Sequence, residues 1–220
     1  MKKSLVVLGG GDITASGNYD LVICADSGFD SFVNGNYYVD YLVGDMDSIS
    51  EENLKTARDR GIKIIKYDPC KDMTDGELAV RLAVEKGSDD ITIMGGREGR
   101  LDHILSSVDL LYLIPESRKA RLYYLEDLVH LLREGEELEV DDPDKVYSVL
   151  PGDRRCVVSE IGFKWPLESK LLEKGTTRGI HNQLTDEKGI IKAEAGDLIV
   201  IICRDRFTPS RFPEGRRDTL

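Results

Sequence analysis

The chain has 220 residues, 40% hydrophobic and 32% charged, enough for one large domain or two small ones and too long to be a staple-dependent miniprotein. Its 30 Lys and Arg against 41 Asp and Glu leave a formal charge of −11, the wrong sign for a partner held by clustered cations and counterion release, so nucleic acid is not expected. No apolar run approaches the roughly 18 residues of a membrane span, and no membrane partner is expected.

Met1-Lys2-Lys3 before Ser4 to Leu8 resembles the opening of a secretory leader, but Gly9-Gly10-Gly11-Asp12 ends the apolar stretch too soon, and the segment reads as a buried strand. That run, Leu5 to Leu8, is the first of six β-rich runs, with Leu21 to Ala25, Val39 to Val43, Ile62 to Tyr67, Ile91 to Met94 and Ala120 to Leu125. Helical patterns fall between them. Glu51 to Arg60 stops at Gly61, Asp75 to Lys86 opens on the capping box Thr74-Asp75-Gly76-Glu77, and Arg100 to Leu113 carries Leu101, Ile104, Leu105, Val108, Leu111 and Tyr112 at helical spacing. That stripe is expected to face the sheet as core. The alternation predicts an α/β, doubly wound parallel sheet over residues 1–126.

After Leu125 the helical period disappears. Val129 to Leu132, Glu137 to Val140, Tyr147 to Leu150, Arg155 to Ile161, Gly189 to Glu194 and Leu198 to Cys203 are short β-like runs between Gly, Pro and Asp turns. They predict an all-β sandwich domain over residues 127–205, followed by a basic, flexible tail over 206–220. Cys24, Cys70, Cys156 and Cys203 form no C-x-x-C pair, which fits a reducing, cytoplasmic compartment.

In an open α/β sheet, ligands bind beyond the carboxyl ends of the strands. Four polar clusters fall there: Asp26-Ser27-Gly28, Gly44-Asp45-Met46-Asp47-Ser48, Asp68 to Asp75, and Gly95-Gly96-Arg97-Glu98-Gly99-Arg100-Leu101-Asp102-His103. Asp45 and Asp47, two apart on an extended segment, project to one side. Oxygen donors with no His or Cys beside them suit Mg²⁺ rather than zinc. Taken singly, this Asp-x-Asp is better read as a solvated turn with Ser48 or Ser50 capping the next helix, and Asp75 as a charge on the dipole of its own helix. The repetition of acidic clusters at strand ends favours a metal site of Asp45, Asp47 and Asp75, with Lys71 or Asp72 meeting a nucleotide. Gly95 to Arg100 combines glycines, a helix N-terminus and two guanidiniums, as a phosphate cradle does. His103 is a phosphate donor, a base or a structural residue, and His130 has no assigned role. Metal-assisted phosphoryl or pyrophosphoryl transfer follows. No serine lies in a nucleophile elbow and no cysteine has an activating neighbour in sequence. Later in the chain, Gly162 to Leu167 holds the single tryptophan, Trp165, and Gly175 to Asn182 sets polar donors between glycines.

Taken in order, Ala25 to Gly28, Gly44 to Ser48, Asp72 to Asp75, Gly99 to His103, Gly162 to Leu167 and Gly175 to Asn182 resemble the thiamine pyrophosphokinase family, which transfers the pyrophosphoryl group of ATP to thiamine. The resemblance implies an α/β domain for ATP and Mg²⁺, a β-sandwich domain, and a homodimer with active sites between subunits. It implies metal ligation by Asp45, Asp47 and Asp75, catalysis by Asp75, Arg100 and Asp102, and ATP contacts from Asp26, Lys71, Asp72, Thr74, Gly96, Arg97 and His103. Trp165, Thr177, Arg178, His181 and Asn182 would meet thiamine. Asp75 and Asp102 are both open as acceptors of the hydroxyl proton. The chain departs from the family at Ser27, Glu98 and Ser106-Ser107, and at His181, where serine is common. Two other readings stay open: a pyrophosphokinase for another small alcohol such as a hydroxymethylpterin, and a non-catalytic sensor of a nucleotide or thiamine diphosphate.

Overall fold

The computed structural model describes residues 1–9, 17–32, 37–95, 100–124 and 127–204. Its first half alternates strand and helix: β1 (Lys3–Val7), β2 (Leu21–Ala25), α1 (Gly28–Phe32), β3 (Tyr41–Gly44), α2 (Glu51–Asp59), β4 (Lys63–Lys66), α3 (Asp75–Glu85), β5 (Asp90–Gly95), α4 (Leu101–Asp109) and β6 (Lys119–Tyr124). All strands follow from there: β7 (Asp127–Leu132), β8 (Glu137–Val140), β9 (Lys145–Pro151), β10 (Arg155–Ile161), β11 (Lys170–Glu173), β12 (Gly189–Ala195) and β13 (Leu198–Arg204). Sequence reading missed α1 and β11. Each has five residues or fewer, too short for a period to register.

The first six strands pair in parallel in the order β4-β3-β2-β1-β5-β6. Strand burial explains why they read as continuous apolar runs. Val6, Ile23, Ile91, Ile93 and Leu122 point into a core under α3, while Leu5, Val7, Val22, Cys24 and Leu42 point into a second core under α1 and α2. Helices therefore cover both faces, as a doubly wound sheet requires. The strand order reverses between β1 and β5, and that switch point is where a ligand crevice opens.

The all-β half is not a sandwich built from its own two sheets. β7 pairs antiparallel with β6, then β13 and β9 continue outward, so one nine-stranded sheet runs through both halves of the chain. Among the described residues, only β11-β10-β12-β8 forms a separate antiparallel sheet. The apolar faces of β7, β9 and β13 meet that second sheet around Tyr147, Val149, Val158, Phe163, Ile191 and Val200. Adding β7 to the edge of β6 satisfies backbone groups that an exposed parallel edge would leave open. No helix among the described residues is long and apolar enough to cross a membrane.

The stripe expected on residues 100–113 is only partly core. Leu101 is 69% exposed and Leu105 58%, while Ser107 and Leu111 are buried. The element changes from α-helix to a 3-10 turn over Leu110–Leu113, which interrupts the helical period after Asp109, while Leu101 and Leu105 are left exposed by the way α4 is seated. Ile104 lines a cleft instead. The expected tail at 206–220 lies outside the described residues.

Candidate active site

A cleft of about 670 Å³ opens at the switch point. Its walls are the ends of five strands and the starts of two helices: Leu8 and Gly9 after β1, Asp26 and Ser27 after β2, Ser48 after β3, Gly95 and Tyr124 closing β5 and β6, Thr74 to Gly76 opening α3, and Arg100 with Asp102 to Ile104 opening α4. Asp26 turns out of β2 in the left-handed region, at φ 43°, and Met46 does the same between Asp45 and Asp47, at φ 65°. Backbone held this way in a non-glycine residue costs about 1 kcal/mol or more and gathers at functional sites.

Two glycines let these segments close up. A Cβ on Gly28 would strike the carbonyl of Val7, so α1 rests against the end of β1 only because that atom is missing. Gly44, at φ 152°, has Asp26 Cβ 3.0 Å and Asp75 Cγ 3.2 Å from where its own Cβ would stand. The carboxylates of β2 and α3 thus converge over the last residue of β3.

One carboxylate oxygen each from Asp26, Asp45 and Asp47 lies within 4.8 Å of the other two. Asp26 Oδ2 accepts from the Ser48 N–H at 3.2 Å, and Asp26 Oδ1 is buried without a hydrogen-bond partner among the described residues. Burial, with the charges of Asp75 and Asp47, pushes the Asp26 carboxyl up despite that bond. Desolvation also pushes Asp45 up, but the Asp47 N–H and the Lys71 ammonium outweigh it and hold Asp45 below the ordinary carboxylate range. Lys71 Nζ stands 3.4 Å from Asp45 Oδ2 and 3.0 Å from Asp75 Oδ1, the latter contact being ionic without hydrogen-bond alignment. Desolvation there is overcome by Asp75 and Asp45, and the ammonium is held up.

The structure therefore gathers Asp26 with Asp45 and Asp47, and brings Asp75 alongside through Gly44 and Lys71. A carboxylate oxygen that is buried and unpartnered, in an all-oxygen donor set of net negative charge, fits a hard divalent cation.

Around the rest of the cleft, Thr74 caps α3, its hydroxyl accepting from the Glu77 N–H. Arg100 and Asp102 are exposed and paired with each other at 2.5 Å, which raises the guanidinium and lowers the carboxyl. His103 lines the cleft, and its carbonyl accepts from the hydroxyls of Ser106 and Ser107. Asp72 is exposed and does not line it. Gly96 and Arg97 lie outside the described residues. Tyr124 lines it and was not singled out in the sequence, whereas Ser48, which also lines it, was named there within the Gly44 to Ser48 cluster and as a cap. Tyr124 ends a strand of the parallel sheet, so the strand-end rule that found the aspartates also pointed to it.

The residues expected to meet thiamine form a separate group on the β half. Trp165 is 53% exposed and lies on a loop after β10, with Lys164 Nζ 4.5 Å from its ring centroid. Thr177, Arg178 and His181 are exposed, and Asn182 is buried on β9 through a bridge to Tyr147. None of the five lines the cleft of its own chain. His130 is half-buried in β7, where desolvation and Arg121 push it down to about 4 and leave it neutral.

Comparison with known proteins puts a family to this geometry. The model of the family described as thiamin pyrophosphokinase, catalytic domain, matches residues 15–124. The chain belongs to the thiamin pyrophosphokinase family. The thiamine pyrophosphokinase of Bacillus subtilis (strain 168) is 30% identical over 214 residues, covering 93% of this chain and all of that protein. A crystal structure of the Bacillus subtilis thiamine pyrophosphokinase superposes with a TM-score of 0.82 at 27% identity, over 93% of this chain and all of the other. The fold extends to the Candida albicans thiamin pyrophosphokinase, with a TM-score of 0.78 at 19% identity over 93% of this chain and 89% of that one. The thiamin pyrophosphokinase catalytic match runs over the strand ends after β2, β3 and β5 that build the cleft.

Proposed function

We propose that this chain, a diphosphotransferase, moves the pyrophosphoryl group of ATP onto the hydroxyethyl oxygen of thiamine, giving thiamine diphosphate and AMP. The observation that carries this reading is the clustering of Asp45 and Asp47 with Asp26, which together with Asp75 lines the switch-point cleft, in a member of this family.

Residues 1–126 would carry ATP and the metal, and residues 127–205 the acceptor. Asp45, Asp47 and Asp75, with Asp26 beside them, would hold Mg²⁺. When bound, that ion offsets phosphate charge. Arg100, in the cleft lining, offers a guanidinium to phosphate oxygens, and Thr74 to Gly76 present the N-terminus of α3 to an anion. The thiamine oxygen forms a bond to the β-phosphorus, the bond from that phosphorus to the oxygen bridging to the α-phosphorus breaks, and AMP leaves with that oxygen. The hydroxyl proton passes to a carboxylate. Asp102 is engaged by Arg100 and Asp75 by Lys71, so both carboxylates stay open as the acceptor.

Because the Trp165 group does not line the cleft of its own chain, the acceptor surface would come from a second copy in a homodimer. Leu101 and Leu105, exposed on the helix that borders the cleft, supply apolar area for that contact. Trp165 already holds an ammonium over its ring, and the same face suits the thiazolium of thiamine. In this arrangement Asp75→Asn and Trp165→Ala chains complement each other. Mixed in equal amounts at thiamine well below KM, they are expected to recover about a quarter of wild-type activity, the share set by random pairing. A mixture no better than the average of its parts would overturn the shared site.

The function itself is tested by AMP formation from ATP and Mg²⁺ with and without thiamine, the product being identified by mass. Thiamine-dependent AMP with a matching diphosphate is expected. AMP formation with a pterin alcohol alone would point to another acceptor, and ATP binding without AMP to a sensor.

A further inference from the structure

Glu160 is 2% exposed on the inward face of β10, in line with Cys156 and Val158. A carboxyl among apolar neighbours is costly, and nothing in the cleft uses it. Its Oε1 is buried without a hydrogen-bond partner among the described residues, and its Oε2 accepts from Asn182 Nδ2 at 3.0 Å. Asn182 is itself buried, and both ends of its amide grip the Trp165 peptide. Nδ2 donates to the Trp165 carbonyl at 3.0 Å, and Oδ1 accepts from the Trp165 N–H at 3.1 Å and from the Gln183 N–H at 3.0 Å. The amide has one arrangement that meets all these partners, and an acceptor at position 160 selects it by requiring the NH₂ group on that side. The backbone of Glu160 also donates to the Leu167 carbonyl at 2.8 Å, closing the loop that carries Trp165.

We infer that Glu160 is a positioning residue, which through Asn182 orients the Trp165 loop for the thiamine side of the reaction. This rests on the reading of Trp165 as an acceptor contact. It differs from that reading in what it predicts, since Glu160 touches no ligand and acts through an amide. An acceptor oxygen is what position 160 must supply, so glutamine serves and a hydrocarbon of similar size does not.

The test uses the full-length enzyme and exploits Trp165 being the sole tryptophan, whose fluorescence anisotropy reports this loop alone. Glu160→Leu is expected to lower that anisotropy and raise the KM for thiamine about 10-fold, with kcat and the KM for ATP within about 2-fold of wild type. Glu160→Gln is expected to retain both values. Should the leucine variant fail to fold, Glu160→Asp withdraws the carboxyl by one methylene and is expected to give the same signature at about 3-fold. Equal losses in both substrates' KM and in kcat, or an unchanged anisotropy and thiamine KM, would overturn the inference. Trp165→Ala separates the two readings. If it leaves the thiamine KM unchanged, Trp165 is not an acceptor contact; if it raises KM while the Glu160 variants do not, only the positioning role falls.

Discussion

Asparagine at Asp45 or at Asp75 is expected to lower turnover at least about 10³-fold while the chain stays folded, because each removes a charge aimed at a cation and at phosphate oxygens. The fold has little to lose. Repulsion among Asp26, Asp45 and Asp47, within 4.8 Å of one another, is offset by the Lys71 ammonium that holds Asp45 ionised and pairs with Asp75, so thermal unfolding of either variant should come within a few degrees of the wild-type temperature. Lys71 gives an internal check, since it stands between Asp45 and Asp75 and each variant leaves it one carboxylate. Steady-state AMP release alongside a thermal melt decides the matter: near-normal turnover in both variants would end the metal assignment. A loss of activity accompanied by unfolding would instead make these aspartates structural.

The second large effect is on stability and its pH dependence. Burial pushes the Glu160 carboxyl from its ordinary value of 4.5 up to about 7, against the opposing pull of the Asn182 hydrogen bond. A carboxyl raised on folding is protonated in the native chain while the unfolded chain already ionises. Its contribution is therefore most favourable below pH 4.5, falls as pH rises from there to about 7, and is flat above that. The loss amounts to on the order of 3 kcal/mol across that window. Glu160→Gln has no such group, so its stability relative to wild type should climb by that order between pH 4.5 and 8. Urea unfolding at both pH values measures it, and parallel profiles for the two proteins would place the carboxyl in a more polar setting than its burial indicates. Retention of a titrating, destabilising group beneath the Trp165 loop is what a positioning role predicts, because hydrocarbon would pack at that spot without the cost.

Much of this was legible in the residues. Two-sided burial made β1, β2 and β5 continuous apolar runs, and helices between them left parallel pairing as the consistent topology. The strand-end rule then placed Asp26, Asp45 and Asp75 on one rim without any knowledge of their contacts. What stayed hidden had physical causes. That β7 would pair with β6 is a choice of edge, and nothing in the alternation of Asp127–Leu132 names its neighbour. The exposure of Leu101 and Leu105 depends on how α4 is seated, which periodicity alone does not reveal. The bond from Asn182 to Glu160 spans 22 residues and joins a turn to a strand, and the sequence gives no sign of which distant partner a charged residue on an inward position would find. Grouping Asp26 with Asp45 and Asp47 depended on the left-handed turn at Asp26 and on the room left by Gly44, both of which are local backbone facts.

The continuous nine-stranded sheet bears on how the chain can be divided and how it can move. Hydrogen bonding between β6 and β7 makes the two halves share a backbone ladder, unlike domains joined by a linker alone. Severing the chain between them would bare an unpaired edge on each fragment, and such edges recruit other strands. Neither half is thus a free-standing module, and a gene fusion or circular permutation that parts β6 from β7 would trade a folded enzyme for sticky intermediates. By the same ladder the two halves of one chain cannot swing about a hinge to meet. Any closing of nucleotide on acceptor falls to loops, or to the seam between one copy and the next.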